Sequence, residues 1–299
     1  VFINEIKTSP VRVFRRTLVS HSLSAEQVER YRKDGIVHPL PVVPKEEVSA
    51  LLAQYSAVSG AMKGRYNQKP YLLHTWLDRL VRDPRILDAV ESLHGPNLLC
   101  WGAQFFTKAP GDGTYVSWHQ DATYWGLSSN DVVTAWIALT PSTEASGCVQ
   151  VVPGTHHHQV AHEDRYDDSN LLSRGQEIAV KVDPEKVVNV VLQPGEMSLH
   201  HVLLFHGSNP NAAELPRIGF AVRYIPTHVK QLSPIRDSAL LVRGEDTYGH
   251  FDLERSPVVD MDADAVACHA DALDRQLRIL YAGAQARGKL NPARAAAEA

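Results

Sequence analysis

The runs LLCWGAQFF (98–106) and VVTAWIAL (132–139) decide the fold class. Both are short, rich in branched and aromatic residues, and set apart from their neighbours by Gly, Pro, Asn and Asp. Such residues suit a pleated, buried surface and the separators make turns, so each run is predicted to be a strand. Four more follow at 149–152, 187–191, 197–204 and 218–225. Short strands at this spacing, with turn signals between them, predict an antiparallel sandwich or barrel.

Upstream the pattern is helical. Ser24 and Gln27 form a capping box ahead of Val28 and Tyr31, and Gly35 ends that helix. Pro44 opens a second helix, with Val48, Leu51, Leu52 and Tyr55 at helical spacing. Asp83 and Pro84 start a third, whose apolar stripe is Ile86, Leu87, Val90 and Leu93. A last helix over 262–282 has Val266, Leu273, Leu277 and Leu280 as its apolar face. No repeat, linker or low-complexity tract divides the chain. The prediction is one domain over 1–299, mainly β with flanking helices (α+β). Its helical part lies at about 22–95, its β core at about 96–228 and its C-terminal helix at about 262–283.

Composition narrows the function classes. The 299 residues are 44% hydrophobic and 21% charged, which excludes a collagen, a disordered chain and a coiled coil. A net charge of -4 argues against a nucleic-acid partner, and no run of about 18 apolar residues argues against a membrane one. Residues 1–19 do not read as a signal peptide, and the Ala- and Arg-rich tail from Ala284 is expected to fray. Cys100, Cys148 and Cys268 are odd in number and widely spaced, so they are expected to be buried thiols of a reducing, cytoplasmic compartment. The expected partner is a small-molecule substrate, and the expected assembly a monomer or homodimer.

Histidine, at 15, invites a metal reading. The informative segment is Ser117-Trp118-His119-Gln120-Asp121. On a strand, His119 and Asp121 would point the same way, with Cα atoms about 6.5–7 Å apart, so both can reach one ion. An imidazole and a carboxylate make two-thirds of the facial triad that binds Fe(II) and leaves positions open. The third ligand must come from a histidine downstream. His206 is the best placed, at the end of the run 202–205 and before the turn-rich segment 207–211. Arg217 opens the next strand and suits the distal carboxylate of a metal-chelating cosubstrate. Gly219, Ala221 and Arg223 share its face, and the first two are small enough to leave room for a ligand.

Taken together these segments resemble the phytanoyl-CoA dioxygenase-like (PhyH) oxygenases, which use Fe(II) and 2-oxoglutarate. The motif around His119 and Asp121, the run 133–139, the turn from Gly147 through Pro153, Gly154 and His156, and His206-Gly207-Ser208 with Arg217 eleven residues on all match. The resemblance covers roughly 22–228 and implies a double-stranded β-helix (jelly-roll, cupin-like) core. It implies that His119, Asp121 and His206 hold Fe(II), that Arg217 and Ser208 bind 2-oxoglutarate, and that Gln104 and Trp136 line its pocket. It implies O2 as oxidant, with release of succinate and CO2. Halogenating relatives have Gly or Ala at the position of Asp121, so hydroxylation of an unactivated C–H bond is favoured here.

Other readings stay open. The same site could desaturate, cyclise or epimerise, and the fold could carry a catalytically silent binding protein. A zinc hydrolase would leave Arg217 without a role. An extended strand puts His200 about 20 Å from His206, which argues against a shared ion, and the same distance makes Arg223 a poor second clamp beside Arg217. The tract His156-His157-His158 is expected to be a solvated loop. Tyr124 and Trp125 are either core or an aromatic wall beside the iron. Asn67, His74 and Lys108 are candidate substrate contacts. The substrate is expected to be a small polar metabolite or natural-product intermediate, since no basic cluster marks a CoA phosphate site.

Overall fold

The computed structural model describes residues 21–284 and Leu290, so the expectations for 1–19 and for most of the tail lie outside the described residues. Five α-helices are present among those residues: α1 (Ala25–Asp34), α2 (Lys45–Val58), α3 (Thr75–Val81), α4 (Pro84–His94) and α5 (Ala263–Leu280). The strands are β1 (Ile36–Pro41), β2 (Leu98–Lys108), β3 (Val116–His119), β4 (Val133–Ala138), β5 (Val149–Val152), β6 (His162–Asp164), β7 (Gln176–Ile178) and β8 (Val188–Val190). They continue with β9 (Glu196–His201), β10 (Phe205–Ser208), β11 (Arg217–Pro226), β12 (Ser238–Arg243) and β13 (Asp252–Leu253).

Local chemistry sets the helix ends. Ser24 Oγ accepts from the Gln27 N–H while Gln27 Oε1 accepts from the Ser24 N–H, at 3.2 and 2.8 Å. Asp83 accepts from the Arg85 N–H ahead of α4, and Asp262 from the Ala265 N–H ahead of α5. Helix α3, only seven residues long, is not anticipated by the apolar spacing.

Eleven strands form a seven-stranded sheet, ordered β1-β9-β4-β11-β2-β12-β13, and a four-stranded sheet, ordered β3-β10-β5-β8, while β6 and β7 pair as a separate ribbon. All pairs but β12–β13 are antiparallel. The two sheets face each other, the jelly-roll arrangement. Strand β11 lies at the centre of the large sheet, and all ten of its residues are buried. Its alternation divides the molecule. Ile218, Phe220, Val222 and Tyr224 join the main apolar core with residues of α1–α4, whereas Arg217, Gly219, Ala221 and Arg223 face the small sheet.

Three differences from expectation matter for the site. The run 197–204 is not one strand: β9 stops at His201, residues 202–204 turn, and β10 enters the other sheet. Strands β1 and β12 also join the large sheet. Pro39 and Pro41 hide β1 in the sequence, but proline is tolerated there because β1 is an edge strand. Finally, Cys100 and Cys148 are buried as expected, but Cys268 lies exposed on α5. No described helix is long and apolar enough to cross a membrane.

Candidate metal centre

His119 ends β3 and His206 lies on the adjacent β10, directly opposite it in the antiparallel register. Their rings sit 4.0 Å apart, centroid to centroid. The strand stops at His119, so Asp121 does not reach the site by strand alternation. Gln120 keeps an extended backbone and Asp121 begins a short 3-10 turn, Asp121–Tyr124. The Asp121 N–H donates to the Val202 carbonyl at 2.9 Å, which ties that turn to the segment between β9 and β10. Asp121 Oδ1 then lies 3.3 Å from His119 Nε2 and 4.0 Å from His206 Nε2. One ligand atom from each of the three residues falls within 4.8 Å of the others, and all three residues are buried.

Backbone carbonyls fix the imidazoles. His119 Nδ1 lies 2.9 Å from the Ser117 carbonyl and 3.1 Å from that of His206, and His206 Nδ1 lies 2.9 Å from the Leu204 carbonyl. A carbonyl only accepts, so each Nδ1 is the donating nitrogen and each Nε2 is the ring atom that faces Asp121. Burial, then the charge of His119, pushes His206 well below its ordinary pKa and keeps it neutral. Burial would raise the Asp121 carboxyl, but its hydrogen bond to His119 and the charges of His206 and Arg223 outweigh that and hold it below the usual carboxylate range. Two imidazoles and one carboxylate, open on one side to a cavity, are a donor set that fits Fe(II).

Gln120, between the two motif ligands, is a structural anchor. Its Nε2 donates to the carbonyls of His158 and Leu203 at 2.8 and 2.6 Å, and its Oε1 accepts from the Val160 N–H at 2.9 Å. Thr134 on β4 donates to Asp121 Oδ2 at 3.3 Å. These two supports are not visible in the motif itself.

An inner pocket runs from the triad between the sheets to Arg217. Arg217 is buried and donates to the Gly147 carbonyl, while its Nε has no partner among the described residues. Burial lowers the guanidinium to about 10, so it remains a cation at neutral pH. Gly147 has φ +68°, and a Cβ there would lie 2.1 Å from the Asn209 carbonyl oxygen, so only glycine can present that carbonyl to Arg217. Trp136 lines the pocket with its ring 5.3 Å from the Arg217 guanidinium carbon. Gly219 was expected to leave room for a ligand. Instead its space holds the Trp136 indole, which a Cβ would meet at 1.9 Å. Ala221 does line the pocket.

A larger cavity of about 630 Å³ opens beyond the triad. Phe106, Asp121 and Arg223 line both spaces. Gln104, expected beside the cosubstrate, lines this outer chamber instead. Tyr124 and Trp125 form its wall: Trp125 packs on Trp101 at 4.8 Å, and Tyr124 donates to Asp164 at 2.8 Å beneath the Arg174 guanidinium. Asn67 reaches the chamber, but its amide is clipped to the backbone N–H and carbonyl of Phe105. His74 belongs to neither space. It precedes α3 and faces Asp260 at 3.5 Å, so it does not join the site. Lys108 sits behind Ser208, at the Arg217 end of the inner pocket and away from the outer chamber.

Several residues set aside in the sequence lie at the centre. His200 faces His206 at 5.0 Å because the chain reverses between β9 and β10, which removes the 20 Å separation of an extended strand. Burial lowers it to about 4, so it stands neutral beside the triad. Arg223 keeps its distance from Arg217 as expected, and for that reason reaches the metal end, where its charge acts on Asp121. Its Nε has no partner among the described residues. His156 is buried with its Nε2 3.1 Å from the Arg32 carbonyl, so the histidine tract is a solvated loop only at His157 and His158.

Comparison with known proteins agrees with this geometry. The solved non-heme monooxygenase ThoJ is 38% identical with a TM-score of 0.76, over 85% of this chain and 97% of that one. CytC3, solved with Fe(II) and alpha-ketoglutarate, is 28% identical with a TM-score of 0.60, over 80% of this chain and 95% of that one. A probable alpha-ketoglutarate-dependent hypophosphite dioxygenase from Stutzerimonas stutzeri is 30% identical over 52% of this chain, and the match spans 56% of that relative's length. The family model for phytanoyl-CoA dioxygenase (PhyH) matches residues 31–219, more than half of the chain. The chain therefore belongs to the phytanoyl-CoA dioxygenase family of Fe(II)- and 2-oxoglutarate-dependent oxygenases.

Proposed function

We propose that this oxygenase hydroxylates an unactivated C–H bond of a small metabolite or natural-product intermediate held in the outer chamber. The observation that carries the reading is the junction of the two spaces. Three convergent ligand atoms stand there, an arginine with an unpaired Nε closes the inner end, and a chamber of about 630 Å³ opens at the other. His119, Asp121 and His206 would hold the iron. Arg217 and Ser208 would bind the distal carboxylate of 2-oxoglutarate, with Trp136 as the wall beside them. Bound iron and cosubstrate supply oxidation by O2, with release of succinate and CO2.

The chain's own contribution is placement. The Nδ1 hydrogen bonds keep both imidazoles in the metal-binding tautomer. The inner pocket is narrow and lies between the sheets, and Asp121 keeps the third ligand where halogenating relatives have none. Trp101, Phe106, Tyr124 and Trp125 give the chamber an aromatic side suited to stacking or apolar contact. The free thiols at Cys100 and Cys148 support a reducing, cytoplasmic setting.

The test is succinate release by the Fe(II)-loaded protein over a metabolite panel, with mass analysis of every active pairing. A product one oxygen heavier supports hydroxylation. Loss of two hydrogens or an unchanged mass would overturn it in favour of desaturation, cyclisation or epimerisation.

A further inference from the structure

Lys108 ends β2 directly across the antiparallel pair from Arg217. Its side chain is fully buried, and among the described residues it forms no ion pair. Its ammonium donates to the Ser208 carbonyl at 3.2 Å, to Ser208 Oγ at 2.6 Å and to the Asn209 carbonyl at 2.5 Å. Three hydrogens meet three acceptors, so the ammonium has none left for a ligand. The effect falls on Ser208. Because its hydroxyl oxygen accepts from Lys108, its own proton is free, and Ser208 lines the inner pocket beside Arg217.

Two like charges at facing positions of a buried strand pair are unfavourable unless an anion joins them. Burial, and then the charge of Arg217, pull the Lys108 ammonium down to about 7, which the charge of Asp112 offsets only in part. Arg217 still has an unpaired Nε.

We propose that Lys108 is a positioning residue for the cosubstrate: it holds Ser208 so that the hydroxyl donates to the same distal carboxylate that Arg217 binds, and its charge favours a dianion over a monoanion. The proposal rests on the reading of the inner pocket as the 2-oxoglutarate site. It assigns Lys108 to the cosubstrate and not to the substrate.

The test is an anaerobic titration of Fe(II)-loaded protein with 2-oxoglutarate and with 2-oxopentanoate, which has the same chain length but ends in a methyl group. Chelation is read from the visible charge-transfer absorption. Lys108→Met is expected to weaken 2-oxoglutarate binding about 10- to 100-fold, the scale of charged hydrogen bonds, and to leave 2-oxopentanoate within about 3-fold. Ser208→Ala should show the same selective loss, and the double variant should lose little beyond either single one. Equal weakening of both ligands in Lys108→Met would reduce the lysine to structural support and overturn the proposal. So would unchanged 2-oxoglutarate affinity in Ser208→Ala, a variant that removes one oxygen and decides the matter even where Lys108→Met fails to fold. Failure of the parent protein to bind 2-oxoglutarate at all would instead remove the underlying reading.

Discussion

The inner pocket and the outer chamber meet at Asp121 but are built differently. The inner pocket is made by strands in fixed register: His119 opposite His206, Arg217 opposite Lys108, Ala221 opposite Trp136. The outer chamber borrows its far wall from the segment 165–176 and from α5. A sheet register places side chains to a fraction of an ångström, whereas loops and a docked helix vary more readily. The difference teaches how each space is held: the inner pocket lies between strands, whereas the far wall of the outer chamber lies on what is attached to them.

The strongest way to break that division is at the triad. His119→Ala or Asp121→Ala is expected to lower iron-dependent succinate release at least about 1000-fold, since two remaining ligands hold the ion poorly. Full activity in either variant would sink the metal assignment. Next comes Arg217→Met, expected to weaken 2-oxoglutarate about 100-fold by loss of a buried charged partner, read by the same charge-transfer titration. If the chamber is independent, neither change should alter the solvent exposure of Tyr124, which hydroxyl-radical footprinting read by mass spectrometry can follow.

Acid should act on the fold as a whole. His94, His200 and His201 are each lowered by burial to about 4, against 6.5 in an unfolded chain. Between those values the unfolded chain binds more protons, so the metal-free protein is expected to lose stability as pH falls from about 6.5 toward 4 and to be level above 6.5. The slope is at most about 1.4 kcal/mol per pH unit for each histidine. A melting temperature that stayed constant from pH 7 to pH 4.5 would contradict it. The smallest effect is expected at the chamber wall. Tyr124→Phe removes the hydrogen bond to Asp164 and should change substrate KM by no more than about 10-fold, leaving 2-oxoglutarate affinity untouched. A parallel loss of cosubstrate affinity would show the two spaces to be coupled.

What could be read from the sequence follows the same line. Strand parity at Arg217, Gly219, Ala221 and Arg223 and the capping box at Ser24 are local patterns, and the structure places them as local patterns require; His119 and Asp121 do converge, but through a 3-10 turn and not through strand parity. The sequence reading failed where long-range geometry intervened. His200 was set aside because a turn at 202–204 looks, residue by residue, like a continuation of the strand. Gly219 looked like a vacancy because the indole that fills it comes from another strand. The chamber's walls at 165–176 and on α5 carry no pattern that distinguishes them from surface, since nothing in their spacing records what they face.

The packing of Trp136 against Gly219 has a consequence for redesign. The indole occupies volume that belongs to a neighbouring strand, so positions 136 and 219 form one space shared by two residues. A side chain at 219 is expected to be tolerated only with a smaller residue at 136, and the reverse exchange would move the pocket wall from one strand to the other without changing its size. Shortening Trp136 alone would leave an opening beside Arg217 and so enlarge the inner pocket at its closed end.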